Sequence, residues 1–342
     1  MKLAVPLSVR SVVSWLPKGR QSTVEALRTG RVEEETAAEL DYRELPVAAI
    51  SAPEMAVLAA QQAVTEAGVP AEAVGLLLHA WIHHQGHDLW SPAHYIANEI
   101  GASRAAPVGV QQVCNGGVAA VELAVARLAA DPSVGTAVVT TADRFVEPGF
   151  DRWRSDYGIA YGDGATALTL APAETGPGVL ELHAVTTSAA PALERMHRGD
   201  DPFSPAARWH SPAVDMRRTK KAYLRDNGLA AFVEAGREKV RTVVETCLRD
   251  AGLAPDDPRL RVVMLPRLGR KVLEQAYVPP LVELTTARVE LPGRSTGHLG
   301  AGDAIASLAD LARTDLLAPG EYALVLNAGA GFTWGCLLVR RP

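Results

Sequence analysis

The sequence predicts a layered α/β protein built from two similar halves, and three observations carry that prediction. Short apolar runs with strand character alternate with segments of helical periodicity. The alternation occurs twice along the chain. The 342 residues, 48% of them hydrophobic, suffice for two domains or two fused halves sharing a continuous core.

Residues 74–82 (VGLLLHAWI), 136–141 (TAVVTT) and 165–170 (ATALTL) are rich in β-branched residues or leucine, as expected of strands covered on both faces. Between them, 52–67 sets Met55, Leu58, Ala59 and Ala63 at helical spacing, and 115–130 does so with Val118, Val121, Val125 and Leu128. Residues 106–113 (APVGVQQV) read as a strand leading into that second helix. The later set comprises a helix over 232–251, a strand over 261–265, a helix over 303–312 and closing strands at 322–327 and 335–339. These place an N-terminal half at 1–172 and a C-terminal half at 173–342, with no internal repeat visible in the sequence. Residues 188–227 are rich in Pro, Arg and His and show little periodicity, which marks them as a substrate-covering insertion.

The charge balance, Lys+Arg 34 against Asp+Glu 39 for a net charge of -5, excludes several partners. No basic run exceeds Arg217-Arg218 followed by Lys220-Lys221, so no electrostatic footprint for nucleic acid or an anionic membrane is present. The N-terminus lacks a signal-peptide pattern, and no window reaches the roughly 18 uninterrupted apolar residues of a membrane helix. A cytoplasmic location is expected. Cys114, Cys247 and Cys336 are too few and too scattered for a disulfide framework or a zinc site.

Cys114 differs from the other two cysteines in its setting. It stands between a strand pattern and the helix opening at Asn115-Gly116-Gly117, where unpartnered N–H groups and the helix dipole favour a thiolate, the nucleophilic form. Gly116 and Gly117 would let a substrate carbonyl approach the backbone. A buried structural cysteine is the commoner alternative. Cys247 lies mid-helix and Cys336 in the last strand, and both are expected in the core.

Gly297-His298-Leu299-Gly300-Ala301-Gly302-Asp303 surrounds one imidazole with small residues. Asp303 can be read as an N-cap, or as the carboxylate that orients His298 and stabilises its protonated form, and the two are compatible. Asn327-Ala328-Gly329-Ala330-Gly331-Phe332 follows a strand with residues that permit close ligand approach, so its amides could form an oxyanion hole. His83 and His87 have a metal-binding i,i+4 spacing, but Gly86 and the preceding strand argue against helical geometry there, and no metal site is expected. Gly162-Asp163-Gly164 lacks a phosphate-loop pattern and reads as a tight turn.

Four segments together resemble the ketoacyl synthase III branch of the thiolase superfamily over nearly the whole chain. Val113-Cys114-Asn115-Gly116-Gly117 is similar to the nucleophile segment, and Tyr161-Gly162-Asp163-Gly164-Ala165 to the turn that follows it. Gly297-His298-Leu299-Gly300 stands where a Gly-Asn turn is expected. The tail 329–335 (GAGFTWG) followed by Leu338-Val339-Arg340 is the most specific match. The resemblance implies a thiolase-like five-layered α-β-α-β-α fold, a homodimer and no cofactor. It also implies that Leu89 or Trp90 reaches into the partner subunit's acyl pocket. Arg267, Trp209 and Phe332 join them as expected pocket residues, with Trp81, Phe145, Trp153 and Phe203 as further aromatic wall candidates.

The departures redirect the chemistry. A condensing member uses Cys, His and Asn, but the expected Pro-His segment reads Leu265-Pro266-Arg267-Leu268, and a permanently charged guanidinium cannot replace a neutral imidazole. Cys114, His298 and Asp303 instead supply the parts of an acyl-transfer triad, with the amides of Cys114 and Ala330 as oxyanion donors. This is similar to an antibiotic-pathway offshoot of the family, acyltransferases that move an acyl group from an acyl carrier protein thioester to a hydroxyl, an amine or a second carrier. Some of those move aromatic polyketide acids such as 6-methylsalicylate. Carrier protein is the expected donor, because 156–160 lacks the Arg that contacts coenzyme A in relatives, and Arg217, Arg218, Lys220 and Lys221 are the expected docking patch. Two alternatives are a decarboxylating 3-oxoacyl synthase III and a non-catalytic partner subunit.

Overall fold

One hydrogen-bonded sheet runs through the protein, and its strand order repeats. The structure is a computed structural model that describes the backbone of residues 1–342 and every side chain but that of Ala4. Its first half contains β1 (Lys2–Trp15), β2 (Gly19–Ser22), α1 (Thr23–Arg28), α2 (Glu34–Leu40), β3 (Glu44–Val47), α3 (Ala52–Glu66), β4 (Val74–Ala80), α4 (Pro92–Glu99), β5 (Ala106–Val110), α5 (Gly116–Ala130), β6 (Thr136–Asp143) and β7 (Gly164–Pro172). The second contains β8 (Leu180–Ala189), α6 (Arg195–Arg198), α7 (Met216–Asn227), α8 (Leu229–Ala251), β9 (Leu260–Met264), α9 (Arg270–Ala276), α10 (Val278–Leu284), β10 (Arg288–Glu290), α11 (Asp303–Arg313), β11 (Tyr322–Gly329) and β12 (Thr333–Arg340).

The 10-stranded sheet has the order β10-β9-β11-β12-β8-β1-β7-β6-β4-β5. Read outward from its centre, β1-β7-β6-β4-β5 and β8-β12-β11-β9-β10 are equivalent series. Each has parallel pairing around β4 or β9 and antiparallel pairing toward the centre. The halves meet where Leu7, Ser8 and Val9 pair with Leu182, Glu181 and Leu180. Two register shifts along β1, with Pro6 and buried Ser8 and Ser11, break the period of two that would reveal this strand in the sequence.

Helices occupy three layers around the two sheet halves, giving the five-layered thiolase-type arrangement. α3 covers the outer face of β1, β6 and β7, and α8 that of β8 and β12. Between the halves lie α5 and α11, and their buried Val118, Val121, Ile305 and Leu308 share one core cluster with Leu168 of β7 and Leu337 of β12. Val113–Ala130 is apolar and long enough to cross a membrane, but α5 within it is the central core helix, which explains its composition.

The 188–227 segment contains more regular structure than its sequence suggests. α7 forms from MRRTKKAYLRDN, capped by the Asp215 carboxylate accepting from Arg218 N at 3.0 Å. Its almost wholly polar surface, with Thr219 as its buried residue, erases the apolar stripe by which helices are recognised.

Candidate active site

The nucleophile candidate sits in a turn held from three sides. Between β5 and α5 the chain makes a 3-10 turn, Val113–Asn115, so α5 begins at Gly116 and Cys114 precedes it. Val113 has φ 48, a left-handed conformation that costs a β-branched residue free energy and that the surroundings must enforce. Asn327 of β11 donates from Nδ2 to the Cys114 carbonyl at 2.8 Å, and Asn115 donates from Nδ2 to Gln112 Oε1 at 2.7 Å. A Cβ on Gly329 would stand 2.4 Å from Asn115 N, so only glycine allows the β11–β12 turn to come this close.

The two glycines after Cys114 serve packing, which corrects the expectation that they clear space for substrate. A Cβ on Gly116 would meet the Ala80 and Ala301 methyls at 3.0 and 3.3 Å, and one on Gly117 the Ala301 carbonyl oxygen at 2.5 Å. Their missing side chains let the histidine-bearing turn lie against the start of α5.

His298 is positioned through its backbone and through its ring. Its N–H donates to the Ala160 carbonyl at 2.9 Å, and its carbonyl accepts from Gly162 N at 3.0 Å. The Gly162-Asp163-Gly164 turn thus docks the histidine. Asp163 Oδ1 accepts from Phe145 N, and Oδ2 accepts from Ala48 N and Arg152 Nη2, which fixes that turn in the fold. A second buried carboxylate, Asp143, accepts from the Ile82, His83 and Ala301 amides. Asp143 is not legible in the sequence, because a carboxylate ending an apolar strand has no pattern of its own.

The ring of His298 meets Asp303 Oδ2 through Nδ1 at 2.7 Å, with both side chains 0% exposed. An ionised carboxylate only accepts, so Nδ1 carries the proton and the neutral ring presents its lone pair at Nε2. Nε2 is buried without a formed hydrogen bond, and Cys114 is its neighbour. Asp303 is the first residue of α11, with Gly302 at the cap position, and its carboxylate points back rather than capping the helix. Oδ1 accepts from Leu299 N and Oδ2 from Arg267 N, both at 2.8 Å. Burial alone would depress the His298 pKa, but the Asp303 charge, the Cys114 charge and the Asp303 hydrogen bond hold it well above the ordinary imidazole value. Burial opposes ionisation of Asp303 too, yet the His298 charge and hydrogen bond and the Arg267 charge keep its pKa below the usual carboxylate range.

A cavity of about 640 Å³ opens over these groups, and Cys114, His298, Ala330 and Phe332 all line it. Arg267, Trp209, Leu89 and Trp90 do not line this chain's cavity. Arg267 is buried elsewhere, its Nη2 bonded to Asp310 at 2.6 Å, so its side chain is a structural cation rather than a pocket residue. Trp209 is 66% exposed on the outside of the 188–227 segment, whose Met196, Val214, Met216 and Leu224 form the actual wall. Leu89, with φ 50 and 108% exposure, and Trp90 project from the loop after β4. Trp81, Phe145, Trp153 and Phe203 are likewise absent from the wall, which takes its aromatic rings from Phe232, Tyr277 and Trp334 among others.

One further expectation changes with the structure. Arg218 pairs with Asp201, Lys220 with Asp156, and Arg217 donates to the Asp156 carbonyl at 2.8 Å, so three of the four cations proposed as a docking patch are engaged within the chain. His83 and His87 lie in non-helical chain, where His83 packs on Phe145 and Phe150 and His87 on Trp90, so the i,i+4 geometry does not form.

A half-buried cysteine at a helix start, facing a histidine–carboxylate pair from the other half of a duplicated α/β fold, defines an acyl-transferring or condensing enzyme. The chain belongs to the 3-oxoacyl-(acyl-carrier-protein) synthase III family. Residues 108–188 match the family's synthase III model and 248–341 its C-terminal model. It is 28% identical over 301 residues to a beta-ketoacyl-(acyl-carrier-protein) synthase III of Bordetella petrii, covering 84% of this chain and 80% of that one. Among solved structures, the acyltransferase ChlB3 superposes with a TM-score of 0.88 at 33% identity over 98% of both chains. The 3-oxoacyl-(acyl-carrier-protein) synthase III of Aquifex aeolicus shares the fold, with a TM-score of 0.79 at 19% identity over 98% of this chain and 99% of that one.

Proposed function

We propose that this protein is an acyltransferase of secondary-metabolite biosynthesis that carries an acyl group from an acyl carrier protein thioester, through a Cys114 acyl-enzyme, to a hydroxyl, amine or second carrier. The observation that carries this reading is the buried His298–Asp303 pair beside Cys114, together with an Arg267 side chain that lies outside the cavity. A decarboxylating condensation needs two neutral donors over the enolate, and position 267 supplies none. The likeness to ChlB3 supports transfer rather than condensation.

In the first half-reaction His298 Nε2 takes the Cys114 proton, and the thiolate attacks the thioester carbonyl. The Cys114 and Ala330 amides receive the developing oxyanion. The intermediate collapses as the C–S bond to the carrier breaks, and the imidazolium gives its proton to the departing thiolate. In the second, Nε2 takes the acceptor's proton as the acceptor attacks the acyl-enzyme, and returns it to the Cys114 sulfur on its release. Asp303 stabilises the imidazolium in both. A homodimer with Leu89 or Trp90 entering the partner's pocket completes the reading and fits their exposure.

The test is intact mass spectrometry after incubation with a panel of acyl carrier protein thioesters. Wild type should gain the acyl mass and lose it on addition of an acceptor, and Cys114→Ala should gain nothing. Release of carbon dioxide from a malonyl donor with carbon–carbon bond formation would instead establish the condensing reading.

A further inference from the structure

One wall of the cavity carries a polar cluster that the transfer mechanism does not use. Asp156 is 2% exposed, and its carboxylate accepts from Tyr157 N at 2.7 Å, Tyr161 Oη at 3.0 Å and Lys220 Nζ. The carboxylate is therefore well supplied with donors. Lys220 has three N–H donors and Asp156 as its hydrogen-bond partner, so donor capacity remains on a side chain that lines the cavity. Beside it His197 also lines the cavity, with a buried Nδ1 that has no partner. Burial, then the Lys220 charge, push the His197 pKa down to about 4, which leaves a neutral ring with one donor and one acceptor.

The cluster is near the reacting groups. Tyr161 packs its ring edge-on to His298 at 5.3 Å between centroids while its hydroxyl reaches Asp156, so one tyrosine spans from base to cluster. On the other side His197 packs on Phe332 at 5.1 Å, two residues from Ala330. A buried ion pair serving only to fix α7 would have little reason to face a ligand cavity, because Arg217 already ties that helix to the Trp153 and Asp156 carbonyls. Unspent donors within an otherwise greasy chamber are the pattern of a site that recognises a ligand's polar group.

We propose that Lys220 and His197, held by Asp156 and Tyr161, hydrogen-bond an oxygen substituent of the acyl group, so that the enzyme selects hydroxylated or oxo-bearing acyl chains or rings over plain hydrocarbon ones. The inference rests on the acyl-enzyme reading above. A site built to bond an oxygen leaves its own groups unpaired when the oxygen is missing, which discriminates more strongly than an added methylene.

Two matched pairs of N-acetylcysteamine thioesters test this: hexanoyl against 5-hydroxyhexanoyl, and benzoyl against 3-hydroxybenzoyl. Wild type should acylate faster with the oxygenated member of at least one pair, by about tenfold or more. That ratio should collapse toward one in Lys220→Met, in His197→Phe and in the charge-neutral double variant Asp156→Asn with Lys220→Met, whose circular dichroism reports folding. Equal rates within both wild-type pairs, or a ratio that survives in every variant, overturns the proposal. Affinities of the four free acids for Cys114→Ala, measured by tryptophan quenching, separate the two readings. A binding preference without acylation would retain the selectivity and overturn the transfer function, and acylation without any preference would do the reverse.

Discussion

Nδ1 of His298 lies 2.7 Å from Oδ2 of Asp303, and neither side chain reaches solvent. That same carboxylate oxygen also accepts the Arg267 amide, so the imidazole is held by an acceptor that is itself fixed by the backbone.

Asp303→Asn should therefore slow the transfer half-reaction by about 10³- to 10⁴-fold, through loss of tautomer control and of imidazolium stabilisation. It should also move the pH limb. His298 must be neutral to take the acceptor's proton, and the Asp303 charge and hydrogen bond, which persist when Cys114 is acylated, raise its pKa, so transfer should climb with pH through a raised value. Removing the Asp303 charge lowers the pKa, so single-turnover deacylation should show its limb at lower pH.

The linked stability has a definite sign. Because the folded His298 pKa lies above the unfolded one, its contribution is complete below the ordinary imidazole range and is lost as pH rises through the folded value. His79 behaves oppositely. Burial drives it down to about 4 from 6.5, while it bonds Thr140 and Gln85, so its contribution is complete above pH 6.5 and is lost as pH falls through about 4. That loss amounts to about 3 kcal/mol. Urea midpoints measured between pH 7 and 4 should fall less steeply for His79→Gln than for wild type.

Gly117→Ala should fold and fail as a catalyst. The new methyl would lie 2.5 Å from the Ala301 carbonyl oxygen, and relief requires the start of α5 and the 300–302 turn to separate. A stability cost of about 1–3 kcal/mol is expected. The acylation rate should fall by more than that cost implies, as stopped-flow release of a chromogenic thiol would show.

Arg267→His should not create a condensing enzyme. The side chain at 267 meets Asp310 on α11 and lies outside the cavity, so an imidazole placed there would not reach substrate. The measurement is carbon dioxide release from malonyl carrier protein, expected at background, with the Cys114 acyl adduct retained.

Much of the site can be read in the sequence because helix starts and small-residue turns are local features. Cys114 before Gly116-Gly117, and His298 among glycines with Asp303 beyond, are visible without a fold, and the structure brings the two segments onto one cavity. What escapes is what depends on distant partners. β1 loses its alternation at two bulges, α7 has no apolar stripe, and the central pairing of β1 with β8 joins residues more than 170 positions apart. Phe332 lines the cavity as expected, but the rest of the aromatic wall is hidden from the sequence for the same reason. Trp209 and Phe203 look like pocket residues by type, whereas Phe232 and Trp334 become so only when α8 and β12 close on each other.

The seam between β1 and β8 has a functional consequence. The thiol belongs to one half and the imidazole to the other, and each stands in the turn that leads into one of the two central helices, α5 and α11. On the proposed mechanism, neither half expressed alone would transfer an acyl group, because each lacks the other's reaction partner. The approach of sulfur and nitrogen also depends on how the two halves are registered across the middle of the molecule, because the turns that carry them are pinned each to its own surroundings. Slippage of β1 by two residues, which would preserve every side chain's facing, would still shift one half by about two-thirds of a nanometre and disconnect the chemistry.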